Sequence, residues 1–330
     1  MQSLWYGNSR VAWLLLPLSG LFAGVMALRR WLYRAGVLKV IRVDRPVVVI
    51  GNISVGGTGK TPLVIWLARQ LSAQGLKVAV IARGYRGKAR QWPQVVNAGS
   101  DPELVGDEPV LIAQQTGVAV VAGPDRVADA QRAIELGADI IISDDGLQHY
   151  RLFRDCEIVV MDGDRKFGNG FLLPAGPLRE LPARLQRADL LLVNQRGASM
   201  HASVLKEALQ YRVTADGMRA LTGSECRSLE TLRGQQVHIV TGIGNPRSFI
   251  SALQATGIKV LPRILPDHAR FTPQDLQFGD ALPVLMTAKD AVKCRQFDAG
   301  GNCWVVEAVV KMDDATAAII LNCIRAKLHH

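Results

Sequence analysis

Residues 46–61 read Pro-Val-Val-Val-Ile-Gly-Asn-Ile-Ser-Val-Gly-Gly-Thr-Gly-Lys-Thr. These residue types, in this order, can hold a polyphosphate. Glycines let backbone N–H groups converge on phosphate oxygens, Lys60 adds a point charge, and the Thr61 hydroxyl can hold Mg²⁺. The expected cradle is Ser54, Val55, Gly56, Gly57, Thr58, Gly59, Lys60 and Thr61, with Ser54 where the usual pattern has glycine. About 80 residues later come Asp144 and Asp145, where phosphate-loop enzymes place the acid that serves Mg²⁺. Adjacent side chains at a strand end point opposite ways, so the two aspartates should do different jobs. Asp107, in Gly-Asp-Glu-Pro, is a candidate general base for transfer to a hydroxyl. Asp-Glu-Pro is equally good helix-opening chemistry, and spacing does not separate the two. His268 lies far along the chain and matters only if two lobes close over one cleft.

These groups need a scaffold that brings loops together. The apolar run before the glycines reads as a buried strand, and Leu63, Leu67 and Leu71 mark a helix running to about Gly75. Further apolar runs at 77–82, 118–122, 139–143, 156–161 and 188–193 lack period-two alternation. Strands of that kind, with helical patterns between them, predict an α/β fold: a P-loop NTPase-like, doubly wound parallel sheet. Ligands of such sheets sit beyond the carboxyl ends of the strands, where the glycine loop, Arg83, Asp144 and Asp145 would fall. From about residue 212 a glycine-punctuated stretch (Gly217, Gly223, Gly234) reads as a linker into a second, smaller α/β set. The expected division is 1–35, an apolar helix; 36–211, the phosphate-loop domain; and 212–330, the smaller domain with its linker. Gly242-Ile243-Gly244 is not a dinucleotide fingerprint, because Arg247 takes the third glycine position.

The net charge of +10 suits work against anions: a lipid surface, a phosphorylated substrate or a nucleotide. No basic run is interleaved with aromatics, so nucleic acid ranks below the other anions. Five scattered cysteines form no C-x-x-C pair, which argues against a disulfide scaffold or zinc site and for a reducing compartment. No obligate protein partner is evident.

Residues 11–28 carry no charge and are followed by Arg29, Arg30 and Arg34. The segment barely reaches the length of a span, and Pro17 and Gly20 interrupt it. It is expected to lie in the membrane interface with its arginines on anionic head groups. A single span or a buried core helix is the alternative.

Six stretches together resemble the tetraacyldisaccharide 4′-kinase (lipid A 4′-kinase) family. They are 51–62 (Gly-Asn-Ile-Ser-Val-Gly-Gly-Thr-Gly-Lys-Thr-Pro), 82–85 (Ala-Arg-Gly-Tyr), 105–108 (Val-Gly-Asp-Glu), 144–149 (Asp-Asp-Gly-Leu-Gln-His), 173–180 (Leu-Pro-Ala-Gly-Pro-Leu-Arg-Glu) and 267–268 (Asp-His). One departure is Ala288, where the family more often has Glu. The resemblance implies ATP–Mg²⁺-dependent phosphorylation of the 4′-hydroxyl of a lipid A disaccharide 1-phosphate, at the cytoplasmic face of the bacterial inner membrane. It also implies two α/β lobes joined by a short two-stranded linker, with closure over the nucleotide. Lys60 and Thr61 then look like the phosphate and metal groups, with Asp144 and Asp145 as metal-site acids. Asp107 looks like the base, tuned by His268. Arg83, Arg126, Gln148, His149, Arg179 and Glu180 look like groups around the glycolipid and the transferring phosphate. A rival reading is a membrane-recruited NTPase switch that positions cargo. Such switches carry a lysine before the paired glycines, and Val55 stands there.

Overall fold

The structure is a computed structural model that describes residues 2–7, 10–195, 208–297 and 302–328. The chain opens with helices α1 (Gln2–Tyr6), α2 (Val11–Leu14) and α3 (Leu16–Arg34). The apolar segment is therefore two helices, broken at Leu15, with Pro17 in the first turn of α3, where its missing N–H costs nothing. Ser19 pins α3 to the body: its hydroxyl donates to Leu172 O and accepts from Ala175 N. Leu14, Leu18, Leu21, Val25, Leu28 and Trp31 recur at helical spacing and are all exposed, forming one apolar stripe. Among the described residues no helix is long and apolar enough to cross a membrane.

The body alternates strand and helix: β1 (Val47–Gly51), α4 (Lys60–Ala73), β2 (Val78–Ala82), β3 (Gln94–Val96), α5 (Pro102–Val105), α6 (Asp107–Thr116), β4 (Ala119–Ala122), α7 (Arg126–Glu135), β5 (Ile140–Asp144), β6 (Cys156–Asp162) and β7 (Leu190–Asn194). Every residue of β1 is buried. It lies parallel between β5 and β6, in a sheet ordered β7-β6-β1-β5-β2-β4-β3 with only β3 antiparallel. Both faces are covered, which explains the missing alternation. Val48, Ile50 and Ile142 pack on Leu63, Leu67 and Leu71 of α4. Val47, Val49 and Ile141 pack on Val127, Ala130 and Ala133 of α7. Each fully buried Val, Leu or Ile among them contributes about 1.5–3 kcal/mol.

The stretch read as a linker is largely strand. β8 (Leu209–Ala220) pairs parallel with β7 at one end and antiparallel with a later strand along its length. Gly217 sits inside it, beside the β-bulge. The remaining elements are β9 (Cys226–Ser228), β10 (Gln236–Thr241), α8 (Pro246–Ala255), β11 (Lys259–Ile264), β12 (Val284–Thr287), α9 (Ala288–Cys294), β13 (Cys303–Lys311) and α10 (Asp314–Leu328). Here β11-β10-β12-β13 are parallel, and β8 joins them to the first set through β13.

Candidate active site

The parallel strands aim their carboxyl ends, and the amino ends of α4 and α6, at one edge of the sheet. The glycine turn leaves β1 there and starts α4 at Lys60, with Gly59 as N-cap at φ +92°. A side chain at Gly59 would collide with Asn194, so this position needs glycine for both conformation and space. The Asn194 amide also donates to Thr58 O at 3.1 Å, and the Tyr211 hydroxyl donates to Gly59 O at 3.0 Å. Ser54 and Val55 are tied elsewhere: Ser54 bridges to Leu178, and Val55 N donates to Pro177 O at 2.8 Å. The solvent-facing part of the loop thus begins at Gly56 and Gly57, both exposed. Thr58 Oγ1 is buried without a partner.

Lys60 Nζ donates to Asn52 Oδ1 at 3.0 Å and lies 3.3 Å from Asp145 Oδ1. Arg179 Nη1 reaches the same carboxylate at 3.0 and 3.1 Å. Burial alone would raise the Asp145 pKa; the Lys60 and Arg179 charges outweigh it and hold it well below the carboxylate range. Asp145 adopts φ +51°, a conformation that costs a non-glycine residue energy and persists where the surroundings enforce it. Its neighbour differs in every respect. Asp144 is buried, its Oδ1 has no hydrogen-bond partner, and burial with the Glu108 charge pushes its pKa up. Asp145 anchors cations already in place, whereas Asp144 has an oxygen to give. Among the described residues no group of three or more His, Cys, Asp or Glu could hold a metal. The groups that could serve a divalent ion here are the Thr61 hydroxyl and the unpartnered Asp144 oxygen.

Asp107 is the first residue of α6, capped by Gly106 at φ +92°, so it does open a helix. It also faces His268, whose Nδ1 lies 3.3 Å from Asp107 Oδ2. Lys293 of α9 lies 3.6 Å from the same oxygen. Burial would raise the Asp107 pKa; the His268 hydrogen bond and the Lys293 and Lys289 charges overcome this and lower it. An ionised carboxylate only accepts, so Nδ1 carries the proton toward Asp107. His268, like Asp145, sits at positive φ, +58°. A cleft of about 600 Å³ opens beside this pair, lined by Tyr85, Arg86, Phe271 and Lys293 among others. Two more contacts join the elements on either side of it: Lys289 Nζ to Glu108 Oε1 at 2.8 Å, and Arg86 Nη1 to Asp267 O at 3.2 Å.

Two expected substrate contacts are buried braces instead. Arg126, 2% exposed, donates to Gly123 O at 2.6 Å, Asp129 Oδ2 at 3.1 Å and Asp144 O at 3.4 Å. It supports the strand end that carries Asp144. Glu180, also 2% exposed, accepts from Gln148 Nε2 at 2.9 Å and the Tyr150 hydroxyl at 2.6 Å. Gln148 Oε1 in turn accepts from Arg179 at 3.3 Å. Arg83 stays exposed, with its guanidinium 6.0 Å from the Tyr85 ring. Burial, with Arg126 and Arg83 nearby, lowers the His149 pKa to about 4, so the ring is neutral at pH 7. Asn52 and Lys293 were not legible as site residues. Asn52 directly follows the strand in Gly-Asn, and Lys293 stands three residues after Asp290; these were the available signals.

A family model described as LpxK, tetraacyldisaccharide-1-P 4′-kinase, matches residues 11–325. The chain belongs to this family. A tetraacyldisaccharide 4′-kinase of Nitrosococcus oceani is 46% identical over 323 residues, covering 96% of this chain and 92% of that one. The Stenotrophomonas maltophilia protein of the same name is 47% identical over 303 residues, covering 91% and 88%. The "apo" form of LpxK from Aquifex aeolicus, solved in complex with ATP, superposes with a TM-score of 0.81 at 29% identity. That match covers 96% of this chain and 99% of the other.

Proposed function

We propose that the chain transfers the γ-phosphate of ATP to the 4′-hydroxyl of a tetraacyldisaccharide 1-phosphate. What supports this reading is that the glycine turn opening α4 at Lys60 and the carboxylate opening α6 at Asp107 both follow strands of one, mostly parallel sheet, with His268 and Lys293 set against that carboxylate. Gly56–Thr61 would hold the triphosphate, with Lys60 moving from Asp145 onto phosphate oxygens. Thr61 and Asp144 would hold Mg²⁺, which supplies charge neutralisation on the phosphates when bound. Arg179 steadies Asp145 and faces the same space. Asp107 accepts the hydroxyl proton, and His268 fixes the orientation of its carboxylate. A weakly basic carboxylate is adequate, because the hydroxyl proton leaves late in a loose phosphoryl-transfer transition state. Catalysis is then mostly positioning and charge stabilisation.

Residues 36–211 and 212–330 act as two lobes in this reading. His268, Lys289 and Lys293 reach Asp107 and Glu108 from the second lobe, so closure sets the geometry of the base. Residues 1–35 lay the α3 stripe on the cytoplasmic face of the inner membrane, with Arg29, Arg30 and Arg34 near anionic lipid head groups. The cargo-switch reading is not favoured, since Val55 stands where its lysine belongs. The test is transfer of labelled γ-phosphate to purified disaccharide 1-phosphate. Label on the acceptor, and ATP turnover only when acceptor is present, supports the kinase. Equal ATP hydrolysis with and without acceptor refutes it.

A further inference from the structure

A second basic cavity, of about 280 Å³, opens between α3 and the 3-10 helix Pro182–Arg187. Its wall carries Arg30, Arg34, Arg184 and Arg187, with Trp31 and Leu181 as an apolar rim. Spacings of four on an α-helix and three on a 3-10 helix each place two arginines on one face, so the two pairs converge.

Like charges do not gather without reason, and the partners present answer only half of them. Arg184 ion-pairs with Glu157 and Glu180, and Arg30 lies 3.7 Å from Glu180. Arg34 and Arg187 are exposed and make no hydrogen bond or ion pair with another described residue. Arg184 is 9% exposed, yet its Nη1 is buried with no hydrogen-bond partner. A buried donor without an acceptor is costly, about 1–3 kcal/mol, and calls for a ligand. Glu157 also pairs with Arg154, and Glu180 is shared by Arg184 and Arg30, so these two carboxylates leave the cavity with at least two positive charges in excess. The positive charge left over matches one phosphomonoester, which carries about −1.5 to −2 at neutral pH. A phosphodiester head group, with a single charge, matches it less well.

The cavity is connected to the phosphate loop. Glu180 accepts from Gln148, Gln148 accepts from Arg179, and Arg179 and Lys60 both hold Asp145. It also adjoins the exposed apolar stripe, which ends at Trp31 on its rim. An amphiphile lying along α3 could therefore drop a phosphate between the arginines.

We propose that this cavity receives the phosphomonoester that the lipid acceptor already carries, away from its reacting hydroxyl. The inference rests on the kinase reading above. The family description places a phosphate at position 1 of the disaccharide, while transfer is to the 4′ position. That phosphate needs a cationic receptor separate from the triphosphate cradle, where like charges would repel.

The test uses the full chain in neutral mixed micelles, with Arg34→Ala, Arg187→Ala and the double variant. These side chains hold no other described residue, so the variants should fold normally. Losing a charge-assisted hydrogen bond should raise KM for the disaccharide 1-phosphate about ten- to a hundredfold per arginine. The kcat and the KM for ATP should stay within about twofold. Wild-type enzyme should use an acceptor lacking the 1-phosphate as poorly as the double variant uses the natural one. The variants should then lose little further on that acceptor. Equal losses on both acceptors, or no loss on either, would overturn the proposal. So would a loss that appears only with anionic phospholipid vesicles, which would make a lipid head group the ligand. Failure of wild-type enzyme on both acceptors would instead overturn the kinase reading.

Discussion

Replacing Lys293 with Met removes a positive charge 3.6 Å from Asp107 Oδ2. The carboxylate also faces His268 and Lys289, with Glu108, Asp267 and Asp290 on the surrounding elements. Two unit charges at this separation interact by about 1 kcal/mol under full water screening, and by about 4–5 kcal/mol at the screening typical of protein pairs. At 1.36 kcal/mol per pKa unit, the smaller figure already raises the Asp107 pKa by nearly one unit. Asp290, freed of Lys293, pushes the same way. Asp107 must be ionised to accept a proton, so activity fails as pH falls through its pKa. In the wild type that pKa is lowered, so at saturating Mg²⁺, which keeps Asp144 ionised, the remaining acid limb of kcat/KM is set by Asp107 and lies below its ordinary value. In Lys293→Met the limb moves up by one unit or more. The assay is kcat/KM against pH, with thermal melting to confirm folding. A folded variant with reduced kcat but an unmoved acid limb would refute the reasoning.

Three further outcomes are expected. Asp144→Asn removes a buried carboxylate whose charged form is disfavoured, so melting should shift upward while the Mg²⁺ needed for transfer rises about tenfold or more; a drop in melting temperature counts against the spare-ligand role. Serine at Leu21, Val25 and Leu28 removes exposed apolar area from α3, and vesicle flotation should weaken with no change in melting. The His149 pKa is lowered to about 4, so unfolded chains take up a proton that the folded state refuses. Stability is therefore lost as pH falls from about 6.5 toward 4, and His149→Gln should flatten that part of the melting-against-pH curve.

What was legible in the sequence was local. The glycine turn, Lys60 and the strand-end pair Asp144–Asp145 depend on residues adjacent in the chain, and the sheet followed from uninterrupted apolar runs. The bracing of Gly59 did not, because Asn194 and Tyr211 arrive from 136 and 152 positions away in hydrogen bonds to Thr58 and Gly59. Arg126 and Glu180 look like ligand contacts by type. Only their buried partners, Asp129 and Arg184 among them, make them braces. The glycines after residue 212 suggested a linker; its first part, through Ala220, is strand paired with β13, a partner that local sequence does not reveal. Lys293 is one lysine among many until α9 packs against α6. At Asp107 the helix opening and the His268 contact fall on one backbone position, so the helix start leaves the proposed base role open.

In the kinase proposed above, the triphosphate cradle and Asp107 act on one acceptor. The most direct measurement is phosphoryl transfer in a single turnover by Asp107→Ala, with ATP affinity measured on the same preparation. ATP affinity should stay within a few-fold of wild type while transfer slows by about two to four orders of magnitude. Transfer at a near-normal rate would contradict it.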